Sequence, residues 1–141
     1  MKHLVLVRHG ESQLNVVNRE KRVYCGQIDT HLTDFGRSQA TEAGKRLKNL
    51  EYLCVSRAVA SPLQRAAETL SLLLAQLDDR ILQLSHLPDL MERSHGHFEG
   101  LTDEEAFARF PEYETDPSFA NFMTTYDRCA PGGQTPCAPA G

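Results

Sequence analysis

The chain lacks an apolar run long enough to cross a membrane, a task that takes about 18 or more residues. The few apolar residues before Arg8 are also too short a stretch for the core of a signal peptide. No excess of positive charge exists: 15 basic against 19 acidic residues give −4, which argues against nucleic acid or an anionic membrane as main partner. Any attraction for an anion must then come from local groups. The four cysteines, Cys25, Cys54, Cys129 and Cys137, form no CxxC pair and keep no regular spacing, so they read as reduced structural thiols of a cytoplasmic protein. There is no internal repeat and no interdomain linker. With 141 residues, 40% of them apolar, the prior is one domain with a core of its own.

What the chain does have begins at its start. Leu4 to Val7 is continuously apolar and reads as a strand buried on both faces, running straight into Arg8-His9-Gly10-Glu11-Ser12. A polar stretch from Glu11 to Leu32 reads as loop with a helical turn at most. Thr33 is placed to cap a helix from Asp34 to about Asn49, with Ala40, Ala43, Leu47 and Leu50 along one stripe. Cys54 to Ala60 holds a second short strand. Ser61-Pro62 then reads as N-cap and first helical residue of a helix that buries Ala66, Leu70, Leu73, Leu74 and Leu77. Ile81 to Leu84 reads as a third strand, and Thr102 with Glu105 as a capping box for a short helix through Phe110. Phe107, Phe110, Phe119 and Phe122 are expected in the core.

Alternating strands and helices predict an α/β fold: a doubly wound, mostly parallel sheet with helices on both faces, in three α/β/α layers. Residues 1–129 form that domain. The Pro/Gly/Ala-rich tail from Ala130 to Gly141, with three residues of each type, has little to bury and is expected to be disordered.

Ligands of open α/β sheets sit at the carboxyl edge of the strands. Arg8 and His9 reach that edge from the first strand, and Asn15 follows six residues after His9. Arg65 lies one turn into the helix after the second strand, and Glu92 follows the third. Arginines bind phosphoryl oxygens bidentately, and a helix N-terminus adds positive potential. A neutral histidine can take a phosphoryl group on nitrogen, and a glutamate can protonate the leaving oxygen and later deprotonate water. His3 and His31 read as solvated. His95 and His97 lack the further ligands a zinc site needs. Glu99 reads as a structural acceptor rather than a second acid.

These blocks resemble the histidine phosphatase superfamily, in its phosphoglycerate mutase-like branch. Arg8-His9-Gly10-Glu11 with Asn15 is similar to its signature, with His9 at the phosphorylated position. Gly26, Asp29, Leu32, Thr33, Gly36, Gln39 and Ala40 resemble its second block. Ser61-Pro62-Leu63, Arg65, Ala66 and Thr69 resemble the block of the second phosphate arginine, and Leu90, Glu92, Gly96, Glu99 and Gly100 the block of the acid. The resemblance implies catalytic His9 and Glu92, phosphate binding by Arg8, Asn15 and Arg65, and no metal or cofactor. It implies hydrolysis of a small phosphorylated metabolite through a phosphohistidine, with phosphoglycerate mutase chemistry as the near alternative. Only 38 residues lie between Glu92 and Pro131, which favours the compact phosphatase layout over that of the mutases.

The chain also departs from the pattern. Pro131-Gly132-Gly133 is similar to a later block that usually continues with Glu, where this chain has Gln134. The family then adds a central strand ending in His-Gly, and here no histidine follows His97. The expectation is a chain truncated, or shifted out of frame, near Gly133. Loss of one phosphoryl donor costs about 10²–10³ in rate, so an impaired phosphate-binding fragment is a further alternative. An unpaired first strand also predicts a chain that is either self-associated, as a homo-oligomer, or unstable. A purely structural module explains none of the blocks.

Overall fold

Helix α2, Asp34–Lys48, starts where its cap is written: the Thr33 hydroxyl accepts the Gly36 N–H. Its inner face is made of small residues, Gly36, Ala40 and Gly44, so a neighbouring helix can come close. That neighbour is α3, Gln64–Leu74, and a Cβ on Gly44 would stand 2.5 Å from the Leu73 carbonyl oxygen. The Arg37 guanidinium, 2.6 Å from a Glu68 carboxylate oxygen, ties the two helices at their other end.

The computed structural model describes residues 3–77, 83–119, 122 and 129–135. They fall into two compact units: Met1–Asn15 with Asp29–Leu90, and Val16–Ile28 with Met91–Gly141. In the first unit, strands β1 (Arg57–Ala60) and β2 (Gln83–His86) pair in parallel, Arg57 opposite Gln83 and Ala60 opposite His86. Helix α3 is their crossover, as a parallel pair requires. The α/β class with a parallel sheet and helices is thus what the chain adopts. Among the described residues the sheet has these two strands.

Several expectations are corrected. Leu4 to Val7 forms no strand, and its side chains are exposed by 84%, 41%, 85% and 46%. An apolar run records a preference for burial but cannot supply the ladder partner that makes a strand. The polar stretch after Glu11 contains helix α1, Gln13–Glu20, which buries no residue and so leaves no apolar stripe to read. Helix α3 starts at Gln64, not Pro62, and Leu63 at its cap makes no side-chain bond. The Gln64 N–H is instead taken by Asp29 Oδ1 at 2.7 Å, from 35 residues upstream. The innermost row of α3 is Arg65, Thr69 and Leu73, whereas Ala66, Leu70, Leu74 and Leu77 are half-buried. The third strand is described over Gln83–His86, and Ile81 and Leu82, where it was expected to begin, lie outside the described residues.

The second unit gathers aromatics. Tyr24, Phe98, Ala106, Phe122 and Ala130 are buried together, with Leu101, Phe107, Phe110 and Tyr113 packed on them. Phe119 stacks on Tyr113, ring centroids 4.4 Å apart. Burial pushes the Tyr24 phenol up, and its hydrogen bond to Asp103 at 2.5 Å adds to the effect. The unit also corrects the expected tail. Ala130 is buried, the Pro131 carbonyl accepts the His97 N–H at 2.8 Å, and the Gln134 N–H donates to the Ser94 carbonyl at 2.9 Å. A segment poor in side chains can still be ordered by its backbone groups. Residues 136–141 lie outside the described residues. Cys54 and Cys129 are free thiols. No described helix is long and apolar enough to cross a membrane.

Helix α4, Asp103–Arg109, carries the capping box read from sequence: Thr102 Oγ1 accepts the Glu105 N–H, and Glu105 accepts the Thr102 N–H at 2.9 Å. The Lys21 ammonium and the Thr102 N–H hold the Glu105 carboxyl down to about 2. A folded-state value below the unfolded one, near 4.3, makes the cap's contribution complete above the unfolded value. It is lost as pH falls through about 2. We expect the Thr102 amide resonance to titrate with Glu105 near pH 2, and this titration to vanish in Glu105→Gln. A Thr102 amide that does not titrate would mean that the cap bond does not form, and a midpoint at the ordinary carboxylate value that Lys21 does not hold the carboxyl.

Candidate active site

The segment from Arg8 to Ser12 joins no described strand; an isolated antiparallel bridge of Ser12 to Leu32 and the side chains of two helices hold it. The Gly10 N–H donates to Thr69 Oγ1 on α3 at 3.0 Å, a buried bond. The Glu11 N–H donates to Gln39 Oε1 on α2 at 2.9 Å, and the Glu11 carbonyl accepts the Thr33 N–H at 2.9 Å. Backbone groups leaving solvent need such partners, so two helices fix this turn from both sides. Gly10 and Gly36 let it come close. A Cβ on Gly10 would run into the Gly36 carbonyl oxygen, and one on Gly36 into the Glu11 carbonyl oxygen.

His9 is half-buried, with Nδ1 2.7 Å from the Gly10 carbonyl oxygen. A carbonyl can only accept, so Nδ1 carries the proton and the lone pair of the neutral ring sits on Nε2. Arg8 is exposed. Arg8, His9 and Gly10 line a cavity of about 220 Å³ together with Gln39 and Thr69. Arg65 and Asn15 are not among its lining residues. Arg65 is 6% exposed, on the inner row of α3, and its carbonyl accepts from the hydroxyl of Thr69, which also receives the Gly10 N–H.

Asn15 is placed by α1. Its Oδ1 accepts the Ser12 N–H at 2.9 Å while its own N–H donates to Ser12 Oγ at 3.3 Å, a reciprocal cap. The amide oxygen is thereby committed, and the amide N–H groups are the part that can meet an anion. The Asp29 carboxylate likewise takes an N–H at the start of α3, one of the donors the sequence assigned to a phosphate. Thr69, Gln39 and Asp29 act through backbone bonds, so sequence reasoning missed their roles. The spacing of Thr69 four residues after Arg65, on the same helical face, was the available signal.

Glu92 belongs to the second unit and is exposed. Its main-chain carbonyl accepts from Gln27 Nε2 at 3.0 Å. Glu99 is the structural acceptor the sequence suggested. Its Oε1 takes the Gln27 N–H at 3.0 Å, the Ser94 hydroxyl at 3.1 Å and the His95 N–H at 2.9 Å. His95 is buried with its ring edge-on to Tyr24, centroids 5.7 Å apart. Burial and the nearby Arg93 charge lower its pKa. His97 is exposed and stacks on Phe110.

The sequence pattern of the histidine phosphatase superfamily (branch 1) matches residues 4–134. The chain belongs to that superfamily. A 2,3-bisphosphoglycerate-dependent phosphoglycerate mutase of a Bradyrhizobium species is 37% identical over 132 residues, covering 94% of this chain and 59% of that protein. The enzyme of the same name from Blochmanniella pennsylvanica is 39% identical over 107 residues, covering 76% and 44%. Among solved structures, alpha-ribazole phosphatase from Shigella flexneri superposes with a TM-score of 0.70 at 26% identity, over 92% of this chain and 57% of that one. A mycobacterial glucosyl-3-phosphoglycerate phosphatase in complex with VO3 gives 0.67 at 25% identity, over 90% and 54%. The chain thus spans between 44% and 59% of the length of these relatives.

Proposed function

We propose that the chain hydrolyses phosphomonoesters of a small phosphorylated metabolite through a phosphohistidine at His9. The observation that carries this reading is the 2.7 Å contact of His9 Nδ1 with the Gly10 carbonyl, which leaves Nε2 as the nucleophilic nitrogen. Nε2 attacks phosphorus, the N–P bond forms as the P–O bond to the leaving group breaks, and Glu92 gives that oxygen its proton. Water then attacks the phosphoryl group, Glu92 takes the water's proton, and the N–P bond breaks to release phosphate. Arg8 and Arg65 neutralise the phosphoryl oxygens, with the Asn15 amide as a further donor. The free thiols of Cys54 and Cys129 support a reducing, cytoplasmic setting.

The phosphatase names among the structural neighbours support hydrolysis, as does the short span from Glu92 to Pro131. The mutase names of the sequence relatives favour a second reading, transfer of the phosphoryl group back to a phosphoglycerate. Incubation with 3-phosphoglycerate separates them: inorganic phosphate marks the hydrolase, the 2-isomer the mutase.

The acid is tested by the leaving group. General acid catalysis contributes about 10²–10⁴-fold where the leaving oxygen is a poor one. Glu92→Gln should therefore slow an alkyl phosphate by about 10²-fold, and nitrophenyl phosphate by less than about tenfold, since nitrophenolate leaves without a proton. Equal slowing of the two esters would remove Glu92 from that role.

A further inference from the structure

The exposed carboxyl of Glu92 has one side-chain bond among the described residues, a long one of 3.3 Å from the Arg93 N–H. A side chain so lightly held is placed by its backbone, and that backbone is clamped. Gln27 Nε2 donates to the Glu92 carbonyl at 3.0 Å and to Gln134 Oε1 at 3.1 Å. The same Gln134 oxygen accepts the Ser94 N–H at 3.1 Å, and the Gln134 N–H returns to the Ser94 carbonyl at 2.9 Å. Gln27 is itself fixed, its N–H held by Glu99 Oε1 at 3.0 Å. Gly26 before it has φ 46°, and a Cβ there would run into that Glu99 oxygen, so the turn presenting Gln27 is set by close contact. Two neutral carboxamides thus anchor positions 92 and 94 and bring no charge beside the acid. Gln134, where the resembling block usually carries Glu, becomes part of this clamp.

We propose that Gln27 is a positioning residue for Glu92, fixing the main chain that carries the acid through its bonds to the Glu92 carbonyl and to Gln134. This rests on the reading of Glu92 as general acid. Misplacing a reacting group by about 1 Å costs on the order of 10²-fold in rate, so a loosened loop should act on the step that needs the proton.

The variant is Gln27→Met, which keeps the length and bulk of the side chain and removes its donors. Turnover of an alkyl phosphate and of nitrophenyl phosphate is measured beside hydrogen exchange of the Ser94 amide. The alkyl ester should slow about tenfold or more in kcat and the nitrophenyl ester less than about twofold, with KM unchanged for both. Placed on Glu92→Gln, the substitution should add nothing, because the two act on one step. The Ser94 amide should exchange about tenfold faster. Equal slowing of both esters, or a loss that adds to that of Glu92→Gln, makes Gln27 a general stabiliser and overturns the proposal. If Glu92→Gln itself shows no leaving-group dependence, the acid reading fails and the proposal with it. Exchange tells that case apart: Ser94 is then still faster in Gln27→Met, whereas a clamp that does not exist leaves it at the wild-type rate.

Discussion

Alanine at position 36 is expected to destabilise the chain by about 3 kcal/mol, the upper part of the range for forcing extra atoms into a packed site. At the entropy of a domain this size that lowers Tm by about 10 °C. Helix propensity alone predicts the opposite sign, since Gly→Ala within a helix gains about 0.5–1 kcal/mol. The contact decides. A Cβ on Gly36 meets the Glu11 carbonyl oxygen, with Glu11 N at 2.8 Å and Glu11 C at 2.9 Å, all main-chain atoms that cannot rotate away. Glu11 is held in turn by the Thr33 N–H and by Gln39 Oε1, so the strain passes to its neighbours Gly10 and His9. Vanadate is expected to raise the Tm of the wild type through ligand linkage, and the variant should lose that rise. An exposed change on the same helix, Ser38→Ala, should move Tm by no more than about 2 °C. A Gly36→Ala protein as stable as the wild type would show that the turn and α2 do not approach this closely.

What could be read from the sequence divides along the range of the interaction. The Thr33 cap and the Thr102–Glu105 box are closed within three residues, so their residue types sufficed to place α2 and α4. The cap of α3 comes from Asp29, and no local pattern announces a partner 35 residues away. Leu4 to Val7 is apolar enough for a strand, but a strand is a relation between two segments, and one sequence shows only one of them. On α3 the apolar row was legible, yet the row most deeply buried holds Arg65 and Thr69, because that side meets the Gly10 turn. The candidate residues follow the same rule. Arg8, His9, Arg65 and Glu92 could be chosen by what their side chains do in solution. Gln27, Gln39 and Thr69 act on main-chain groups of distant residues, and nothing in their identity marks them for it.

Substitution of His9 should have the largest effect on turnover, about 10⁴-fold or more, as expected when the nucleophile of a two-step reaction is removed. A labelled phosphomonoester quenched in base should leave an acid-labile label on residue 9 of the wild type and none on His9→Ala. The geometry makes a finer demand. With Nδ1–H donated to the Gly10 carbonyl at 2.7 Å, the phosphoryl group must sit on Nε2, so the trapped adduct should be that isomer alone. His9→Asn separates position from chemistry. Its amide N–H can keep the bond to the Gly10 carbonyl, but it offers no lone pair for attack on phosphorus. It should match His9→Ala in lost turnover while melting closer to the wild type. Label on Nδ1 would mean that the ring turns over during the reaction and the Gly10 bond does not set its orientation. Label that persists at another residue in His9→Ala, or no adduct at all in the wild type, would end the assignment of His9 as nucleophile.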